Sequence, residues 1–366
     1  MVAKVDLIAA ARPNFMKVAP LHRILRNDDD IDVRLVHTGQ HYDANMSQAF
    51  FRDFSLPEPD INLGIGSGTH AEQTGRTLIA YERACIDNRP DWVIVVGDVN
   101  ATLACSLAAS KIGVRIGHVE AGLRSRDRAM PEEVNRILTD AIADVLWTPS
   151  QDASDNLRSE GIPEGRIELV GNVMIDTFEL MRTRIEAAHA REALSLVSGD
   201  YAVVTLHRPS NVDDPSKLAI LVKGLSRISA DLPLVFPVHP RTRLRLEQAG
   251  LWQAMQAEPG IQLIEPQGYI DFMNLLTGAA LAITDSGGMQ EETSYLGIPC
   301  LTVRDNTERP VTLTHGTNRL VRAVDLVEAA RSAAVGGRKP RAHHHPPPFW
   351  DGRAAERIVA SLRQRA

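Results

Sequence analysis

Short apolar runs recur along the chain, and each run ends in a polar or glycine-rich turn that precedes residues in a helical pattern. Alternation of strand-like runs with helical segments predicts a parallel sheet covered by helices. The runs fall into two series, which predicts two doubly wound α/β domains. The first series is KVDLIAAA, DVRLVHTG, DWVIVVGD and VRIGHVEA, and the second is DYAVVTLH, LPLVFPVHP, GIQLIEP, ALAITDSGG and GIPCLTV.

The chain length agrees with this organisation, because 366 residues exceed the usual size of about 100 to 200 residues for one domain. We predict an N-terminal Rossmann-like domain over residues 1–172 and a C-terminal Rossmann-like domain over residues 173–352. Apolar residues recur at helical spacing in residues 353–366, which predicts a last helix that packs back on the first domain. We expect the active site in the cleft between the domains.

Ligands of open parallel sheets bind beyond the carboxyl ends of the strands. The residues that follow the apolar runs are therefore the first candidates for a functional site. They are Arg12, His41, Asp98, Glu120, His207, His239 and Ser286.

Carboxylates concentrate at two neighbouring strand ends and at one helix start. Asp98 and Glu120 follow adjacent runs, and Pro131 suits the first position of a helix that also carries Glu132 and Arg136. Such a carboxylate cluster suits general acid/base work. An exposed ion pair is the competing interpretation of Glu132 and Arg136. The predicted core-facing stripe of this helix lies opposite that pair and comprises Val134, Ile137, Leu138, Ala141, Ile142 and Val145.

Two further charged elements of this region are left unassigned. We expect Glu133 to be solvated, together with most of the arginines in the segment RSRDR of residues 124–128.

Cations and glycines supply the complementary half of a site. Arg12 and Lys17 flank the predicted first helix N-terminus, and the turn Ser286-Gly287-Gly288 separates a strand from a helix. Free backbone N–H groups at such a turn suit phosphate oxygens, although an ordinary turn explains the same residues.

Composition and charge indicate which classes of partner and cofactor are not expected. The formal net charge of −6 gives no reason to expect a nucleic acid or an anionic membrane. Three cysteines without a CxxC spacing predict a reducing, cytoplasmic compartment rather than disulfides or a structural zinc site. The run His343–His345 beside three prolines is interpreted as a surface loop rather than a metal site. The sequence lacks the phosphate loop GxxxxGK[ST] and the nicotinamide fingerprint GxGxxG, so no cofactor is expected.

Ten motifs in order resemble those of the non-hydrolysing UDP-N-acetylglucosamine 2-epimerases, from about residue 11 to about residue 321. They are ARPNFMKVAPL, TGQHYD, VVGDVNATLA, GHVEAGLRS, MPEEVNR, GNVMIDT, TLHRPSNVDD, PVHPRT, TDSGGMQEETSYLGIPCLTVRDNTERP and GTNRLV.

The resemblance implies two Rossmann-like domains of the GT-B type, no nicotinamide or metal, and a homodimer. It also implies reversible conversion of UDP-GlcNAc to UDP-ManNAc, through anti elimination of UDP, a 2-acetamidoglucal intermediate and re-addition.

Roles for individual residues follow from the matching motif positions. Asp98, Glu120 and Glu132 resemble the acid/base carboxylates around carbon 2 of the sugar, and His207 the histidine that supports diphosphate departure. Positions near the diphosphate or its supporting network are matched by Arg12, Lys17, Arg136 and His239, and the phosphate turn is matched by Ser286, Gly287 and Gly288. The aromatic residue beside the uracil is matched by Phe272, and the carboxylate on the ribose hydroxyls by Glu292.

The chain departs from many family members at several motifs, such as Asn14 where many have Glu. Its segment QHYDANMSQ differs where a second UDP-GlcNAc acts as allosteric activator in bacterial members, which puts that activation in doubt. The departures leave open a related substrate, such as a UDP-2,3-diacetamido sugar or its uronate. A hydrolysing 2-epimerase, a GT-B glycosyltransferase and a non-catalytic UDP-sugar sensor are further alternatives.

Overall fold

The computed structural model describes residues 2–10, 12–39, 54, 56–337 and 345–365. His41, His343, His344 and the side chain of Arg12 lie outside the described residues. The chain forms two compact units, of which the first comprises Met1–Leu180 with Pro348–Ala366 and the second Met181–Pro347. The chain leaves the first unit within a helix that begins at Val173, where the sequence-based boundary was drawn. That boundary stays a prediction.

The first unit contains a seven-stranded parallel sheet in the order β3-β2-β1-β4-β5-β6-β7. Its central strand, Trp92–Val96, is apolar and buried throughout, because helices cover both faces of the sheet. The strands are β1 Ala3–Ala9, β2 Ile31–His37, β3 Ile61–Asn62, β4 Trp92–Val96, β5 Arg115–Val119, β6 Val145–Thr148 and β7 Ile167–Leu169.

The last helix of the chain belongs to the first unit, where it packs against the first helix. Its residues Ala355, Ile358, Val359 and Leu362 are all buried. The helices of this unit are α1 Arg12–Arg26, α2 His70–Asp87, α3 Asn100–Lys111, α4 Pro131–Ile142, α5 Gln151–Ser159, the connecting α6 Val173–Ala187, and the last helix Ala354–Arg365.

The second unit contains a six-stranded parallel sheet in the order β10-β9-β8-β11-β12-β13. Its core joins apolar residues of these strands to the helix Pro215–Ser229 and to the helix that begins at Leu326. The strands are β8 Ala202–Thr205, β9 Leu234–Pro237, β10 Ile261–Ile264, β11 Leu281–Thr284, β12 Cys300–Thr302 and β13 Asn318–Leu320.

The helices of the second unit alternate with its strands, and the last helix of the chain is α16. Among the described residues, no helix combines the length and the apolar character that a membrane span requires. The three cysteines are buried and free. The helices of the second unit are α7 Ala190–Ala193, α8 Pro209–Val212, α9 Pro215–Ser229, α10 Pro240–Gln248, α11 Trp252–Gln256, α12 Tyr269–Gly278, α13 Gly287–Leu296, α14 Val311–Thr314 and α15 Leu326–Gly337, and α16 is the first unit's last helix Ala354–Arg365.

Candidate functional site

Two adjacent strand ends bring carboxylates together in the first unit. Strands β4 and β5 pair in register up to Val96 and Val119, so Asp98 and Glu120 follow at the same edge of the sheet. A Cβ atom built on Gly97 would lie 3.1 Å from Glu120 Oε2, so the Glu120 carboxylate rests against the turn that carries Asp98. Gly97 also has a φ of 71°, and both constraints favour glycine there.

Each of the two carboxylates contacts a cation. Lys17 Nζ of α1 donates to Glu120 Oε2. Arg136 Nη2 of α4 donates to Asp98 Oδ2 at 2.5 Å. The sequence predicted Asp98 and Glu120 as acid/base carboxylates, and Lys17 and Arg136 as residues near the diphosphate or its supporting network. The structure groups the four in two ion pairs, here called the carboxylate cluster.

The backbone of Glu120 is unusual for a residue with a side chain. Its φ is 67°, in the left-handed region, and the residue is only 4% exposed. Such a conformation costs on the order of 1 kcal/mol outside glycine and persists where the surroundings enforce it. The strain identifies this strand end as a functional candidate independently of its charge.

The prediction for the faces of α4 is wrong. Val134 and Leu138 of the apolar stripe are 40% and 46% exposed, whereas Arg136 is 3% exposed. The helix turns its polar side inward because its charged residues find partners there: Glu133 accepts from backbone N–H groups, Arg136 donates to Asp98, and Asp140 pairs with His118. Glu132, in its first turn, is partly exposed.

Glu133, which was expected to be solvated, is 1% exposed. Its Oε1 accepts from the backbone N–H of Arg126 at 2.8 Å, and its Oε2 accepts from the N–H of Ser125 at 2.9 Å and from Arg136 Nη1 at 2.7 Å. Burial acts to raise the pKa of Glu133, but these three donors outweigh it and the pKa is lowered. Glu133 is therefore a buried anion that joins α4 to the loop after Glu120.

A second buried network lies beneath the same turn. His118 Nε2 donates to the Gly97 carbonyl at 2.8 Å, and its Nδ1 lies 2.6 Å from Asp140 Oδ1. Arg124 Nη1 lies 2.8 Å from the other oxygen of Asp140 and also pairs with Glu160. Arg124 is thus an exception to the expectation of solvated arginines, while Arg126 and Arg128 are exposed.

Histidines meet at two strand ends of the second unit. The ring centroids of His207 and His239 are 5.6 Å apart. His239 directly precedes α10 as its N-cap residue, and its Nδ1 accepts from the N–H of Arg241 at 3.1 Å. His207 is partly exposed, and its Nδ1 lies 3.0 Å from Asp285 Oδ1.

Asp285 organises this region from a fully buried position. It accepts from the backbone N–H groups of His207 and Arg208 and from Asn211 Nδ2. Burial acts to raise the pKa of Asp285, but the hydrogen bond and the charge of His207 help to leave it lowered. The histidine ring is thereby held through Nδ1, with Nε2 on the opposite side of the ring from Asp285.

The turn Ser286-Gly287-Gly288 opens helix α13, with Ser286 as the residue before the helix. A Cβ atom on Gly287 would lie 2.8 Å from both Arg309 Nη1 and Glu308 Oε1, so only glycine fits without displacing that pair. A Cβ atom on Gly288 would meet no atom within 4 Å. The helix start is therefore tightly supported on one side and open on the other.

Arginines surround this helix start. Arg208 Nε donates to the Asp285 carbonyl at 2.9 Å, and Arg304 Nη2 donates to Glu308 Oε2 at 2.8 Å. Arg309 bridges Glu308 and Glu291. The pKa of Arg208 is lowered, first by burial and then by the charge of Arg304. The helix N-terminus with His207, Arg208, Arg304 and Arg309 is here called the cation cluster; an anion there would relieve the repulsion between Arg208 and Arg304.

Glu292 lies on the second turn of α13 and is 5% exposed. Burial, and then the charge of Glu291, raise the pKa of Glu292 to about 8 although Tyr269 donates a hydrogen bond to it. Tyr269 begins α12, the helix whose first turn also carries the partly exposed Phe272. Neighbouring helices thus hold the two residues matched to the nucleoside.

The sequence missed the supports of both clusters. Asp285 follows strand β11 directly, so the strand-end rule could have selected it beside Ser286. The same rule could have selected Arg304 after the run GIPCLTV, whereas Glu133, His118 and Arg309 do not directly follow an apolar run. Among the described residues, no group of three or more His, Cys, Asp or Glu side chains is placed to hold a metal ion.

The two parallel sheets, each with interleaved helices, define an α/β protein with two Rossmann-like units. The family model described as UDP-N-acetylglucosamine 2-epimerase matches residues 23–363. The chain belongs to the UDP-N-acetylglucosamine 2-epimerase family, whose members are isomerases.

Individual relatives agree with this assignment. The UDP-N-acetylglucosamine 2-epimerase of Methanocaldococcus jannaschii is 42% identical over 364 residues, which cover 98% of each chain. A crystal structure of the M. jannaschii UDP-GlcNAc 2-epimerase in complex with UDP-GlcNAc and UDP gives a TM-score of 0.88 at 42% identity, covering 99% of each chain. The predicted fold class, two Rossmann-like domains of the GT-B type, is confirmed.

A relative named for another sugar has the same percent identity over a shorter match. The UDP-2,3-diacetamido-2,3-dideoxy-D-glucuronate 2-epimerase of Pseudomonas aeruginosa is 42% identical over 336 residues, covering 90% of this chain and 92% of the relative. Overall identity therefore does not distinguish the two sugars.

Proposed function

We propose that this protein interconverts UDP-GlcNAc and UDP-ManNAc by the non-hydrolysing route. The observation that carries the proposal is the carboxylate cluster, in which Asp98 and Glu120 follow adjacent strands and each contacts a cation. The names of the M. jannaschii relatives support the choice of substrate. No cofactor is needed for this reaction.

The chemistry explains why carboxylates are required. Carbon 2 of the sugar has no neighbouring carbonyl, so its proton is not acidic in the ground state. As the bond from carbon 1 to the phosphate oxygen breaks, that oxygen takes the bonding pair and carbon 1 gains oxocarbenium character. A carboxylate then removes the carbon 2 proton, the released pair forms the double bond of 2-acetamidoglucal, and UDP departs.

The reverse step exchanges the face of the sugar. A carboxylic acid delivers a proton to the opposite face of carbon 2, and the UDP oxygen adds to carbon 1. At least two acid/base groups are therefore needed, and we assign them to Asp98, Glu120 and Glu132. Lys17 and Arg136 hold the Glu120 and Asp98 carboxylates in position through the two ion pairs.

We assign the UDP moiety to the second unit. The N-terminus of α13 at Ser286, Gly287 and Gly288 offers backbone N–H groups to the diphosphate. His207, held by Asp285, supports departure of the diphosphate, and His239 and Arg12 belong to its surroundings. Phe272 contacts the uracil, and Glu292 accepts from the ribose hydroxyls.

A UDP-2,3-diacetamido uronate is the second candidate substrate. It is favoured by the P. aeruginosa relative, whose identity of 42% equals that of the M. jannaschii enzyme. The elimination chemistry at carbon 2 is the same, so the proposed acid/base roles do not depend on which sugar is bound.

Proton NMR of the protein with each nucleotide sugar in D2O tests the function. Deuterium at carbon 2 of both epimers is expected for the true substrate, and no exchange with either sugar would refute epimerisation. Accumulation of free ManNAc with UDP would indicate a hydrolysing enzyme. Acceptor-dependent release of UDP without exchange would indicate a glycosyltransferase, and binding without turnover a sensor.

We further propose a cytoplasmic homodimer that supplies UDP-ManNAc for surface polysaccharide synthesis. The free cysteines support a reducing compartment. Helices α2 and α4 both pack on α3 and expose apolar side chains, namely Ile79, Ile86, Val134 and Leu138, which supports an interface on the first unit. Light scattering after gel filtration is expected to give twice the 40.1 kDa chain mass, and a monomer would contradict the dimer.

A further inference from the structure

We propose that Glu133 is a positioning residue of the epimerase reaction, which acts through Arg136 on Asp98 and through two backbone N–H groups on the loop after Glu120. The inference rests on the proposed function, because it assigns a task to a residue that supports the carboxylate cluster. Glu133 itself is not expected to contact the substrate.

The first step of the argument is the shared guanidinium. Arg136 donates through Nη1 to Glu133 Oε2 at 2.7 Å and through Nη2 to Asp98 Oδ2 at 2.5 Å. Arg136 and Glu133 are 3% and 1% exposed, so water screens their charges poorly. The position and the field that Asp98 receives from Arg136 therefore depend on Glu133.

The second step concerns the loop that runs from Glu120, directly after β5, to helix α4, which carries Glu133. The loop starts at Glu120 with a φ of 67° and reaches a second left-handed residue, Arg126, with a φ of 59°. The N–H groups of Ser125 and Arg126 donate to the two oxygens of Glu133. Glu133 thus holds the far end of the segment whose near end carries Glu120.

Ordinary helix stabilisation does not account for these contacts. An exposed pair at i,i+3 on a helix stabilises the helix only slightly and needs no burial. Burial of a carboxylate costs free energy unless hydrogen-bond donors compensate it. Here the donors come from the loop after Glu120 and from Arg136 of α4, and each of these two segments carries a residue of the carboxylate cluster.

The test compares Glu133→Gln and Glu133→Asp with Glu164→Gln, a control at an exposed ion pair of the same unit. Glu133→Gln keeps the size of the side chain and removes its charge. We expect its kcat to fall about 100-fold, as for removal of a residue that orients a catalytic group, with KM within about threefold. Glu164→Gln is expected to behave as the unaltered protein.

A pH profile separates positioning from mere stability. Without the Glu133 charge, Arg136 acts on Asp98 uncompensated and favours its ionised form. The kcat profile of Glu133→Gln should therefore move to lower pH, by about one unit, while Glu133→Asp restores the profile and part of kcat. A lower melting temperature with unchanged kcat and profile would overturn the proposal.

Non-additivity gives the second measurement. If Glu133 acts through Asp98, then Glu133→Gln added to Asp98→Asn should lower the rate of carbon 2 exchange by less than about threefold further. A full further 100-fold loss would overturn the coupling. Exchange by the unaltered protein is the reference: its absence with both sugars refutes the proposed function and this inference with it, whereas its presence beside an unaffected Glu133→Gln refutes the inference alone.

Discussion

The two units use opposite charges in the same arrangement. In the first unit, Asp98 and Glu120 stand at strand ends and are backed by the cations Arg136 and Lys17. In the second unit, His207 stands at a strand end and is backed by the anion Asp285. Arginines behind the start of α13 are likewise backed by Glu291 and Glu308.

The difference suggests a division of labour. Carboxylates held by cations suit proton transfer at carbon 2, while cations held by carboxylates suit a diphosphate that must be bound and released. Substitutions in the first unit should therefore change kcat, and most substitutions in the second should change UDP affinity.

The largest effect is expected for Asp98→Asn. The amide keeps the shape of the side chain but cannot exchange a proton, so kcat should fall by at least about 1,000-fold. UDP affinity measured by calorimetry should stay within about twofold, because Asp98 is assigned to the sugar and not to UDP.

Asp155→Asn is the matched control for this variant, since Asp155 is an exposed residue of the same unit. A loss in kcat below about tenfold for Asp98→Asn would move Asp98 to a structural role. A large loss of UDP affinity would break the comparison between the units.

Asp285→Asn tests the comparison in the second unit, because this substitution should lower kcat more than it lowers UDP affinity. The amide no longer holds the His207 ring through an anionic acceptor, so kcat should fall about 100-fold while UDP affinity falls less than tenfold. Asp231→Asn, at an exposed ion pair of the second unit, is the control. Equal losses in kcat and in UDP affinity would argue that Asp285 only folds the loop.

Strand-end positions were predictable because the rule that selects them depends on sheet topology alone. Asp98, Glu120, His207 and Ser286 follow apolar runs that are visible in the sequence, and Lys17 lies on the first helix. Their pairing with Arg136 and Asp285 depends on tertiary contacts between segments far apart in the chain.

The faces of α4 show why the rest was not predictable. Helical periodicity places Val134 and Leu138 on one side and Arg136 on the other, but it does not decide which side is buried. In this helix Glu133, Arg136 and Asp140 find partners inside, and Val134 and Leu138 of the predicted apolar stripe face outward. An apolar side that faces outward is what a protein interface would require.

Gly288→Ala separates ligand binding from folding in the second unit. The added methyl group meets no atom within 4 Å beyond its own helix turn, so the substitution introduces no clash and stability should not fall. If a diphosphate approaches this helix start, the methyl group obstructs it and the Kd for UDP should rise about tenfold. Gly75→Ala in α2, where a Cβ atom likewise meets nothing, is the control. Unchanged UDP affinity would contradict the phosphate assignment.

The smallest effect concerns the pH dependence at Glu292, whose pKa is raised by burial and by Glu291 to about 8. If ribose hydroxyls donate to the ionised carboxylate, UDP affinity should rise about threefold between pH 7 and 9, and Glu292→Gln should abolish that rise.

The stability of the ligand-free protein should change in the opposite direction and fall as the pH rises. Because the folded pKa lies above the ordinary 4.5, the stability that protonated Glu292 contributes is complete below pH 4.5 and is lost as the pH rises through about 8. The melting temperature of the unaltered protein, measured relative to that of Glu292→Gln, should therefore fall between pH 4.5 and about 8. A difference in melting temperature that does not change with pH would contradict the raised pKa.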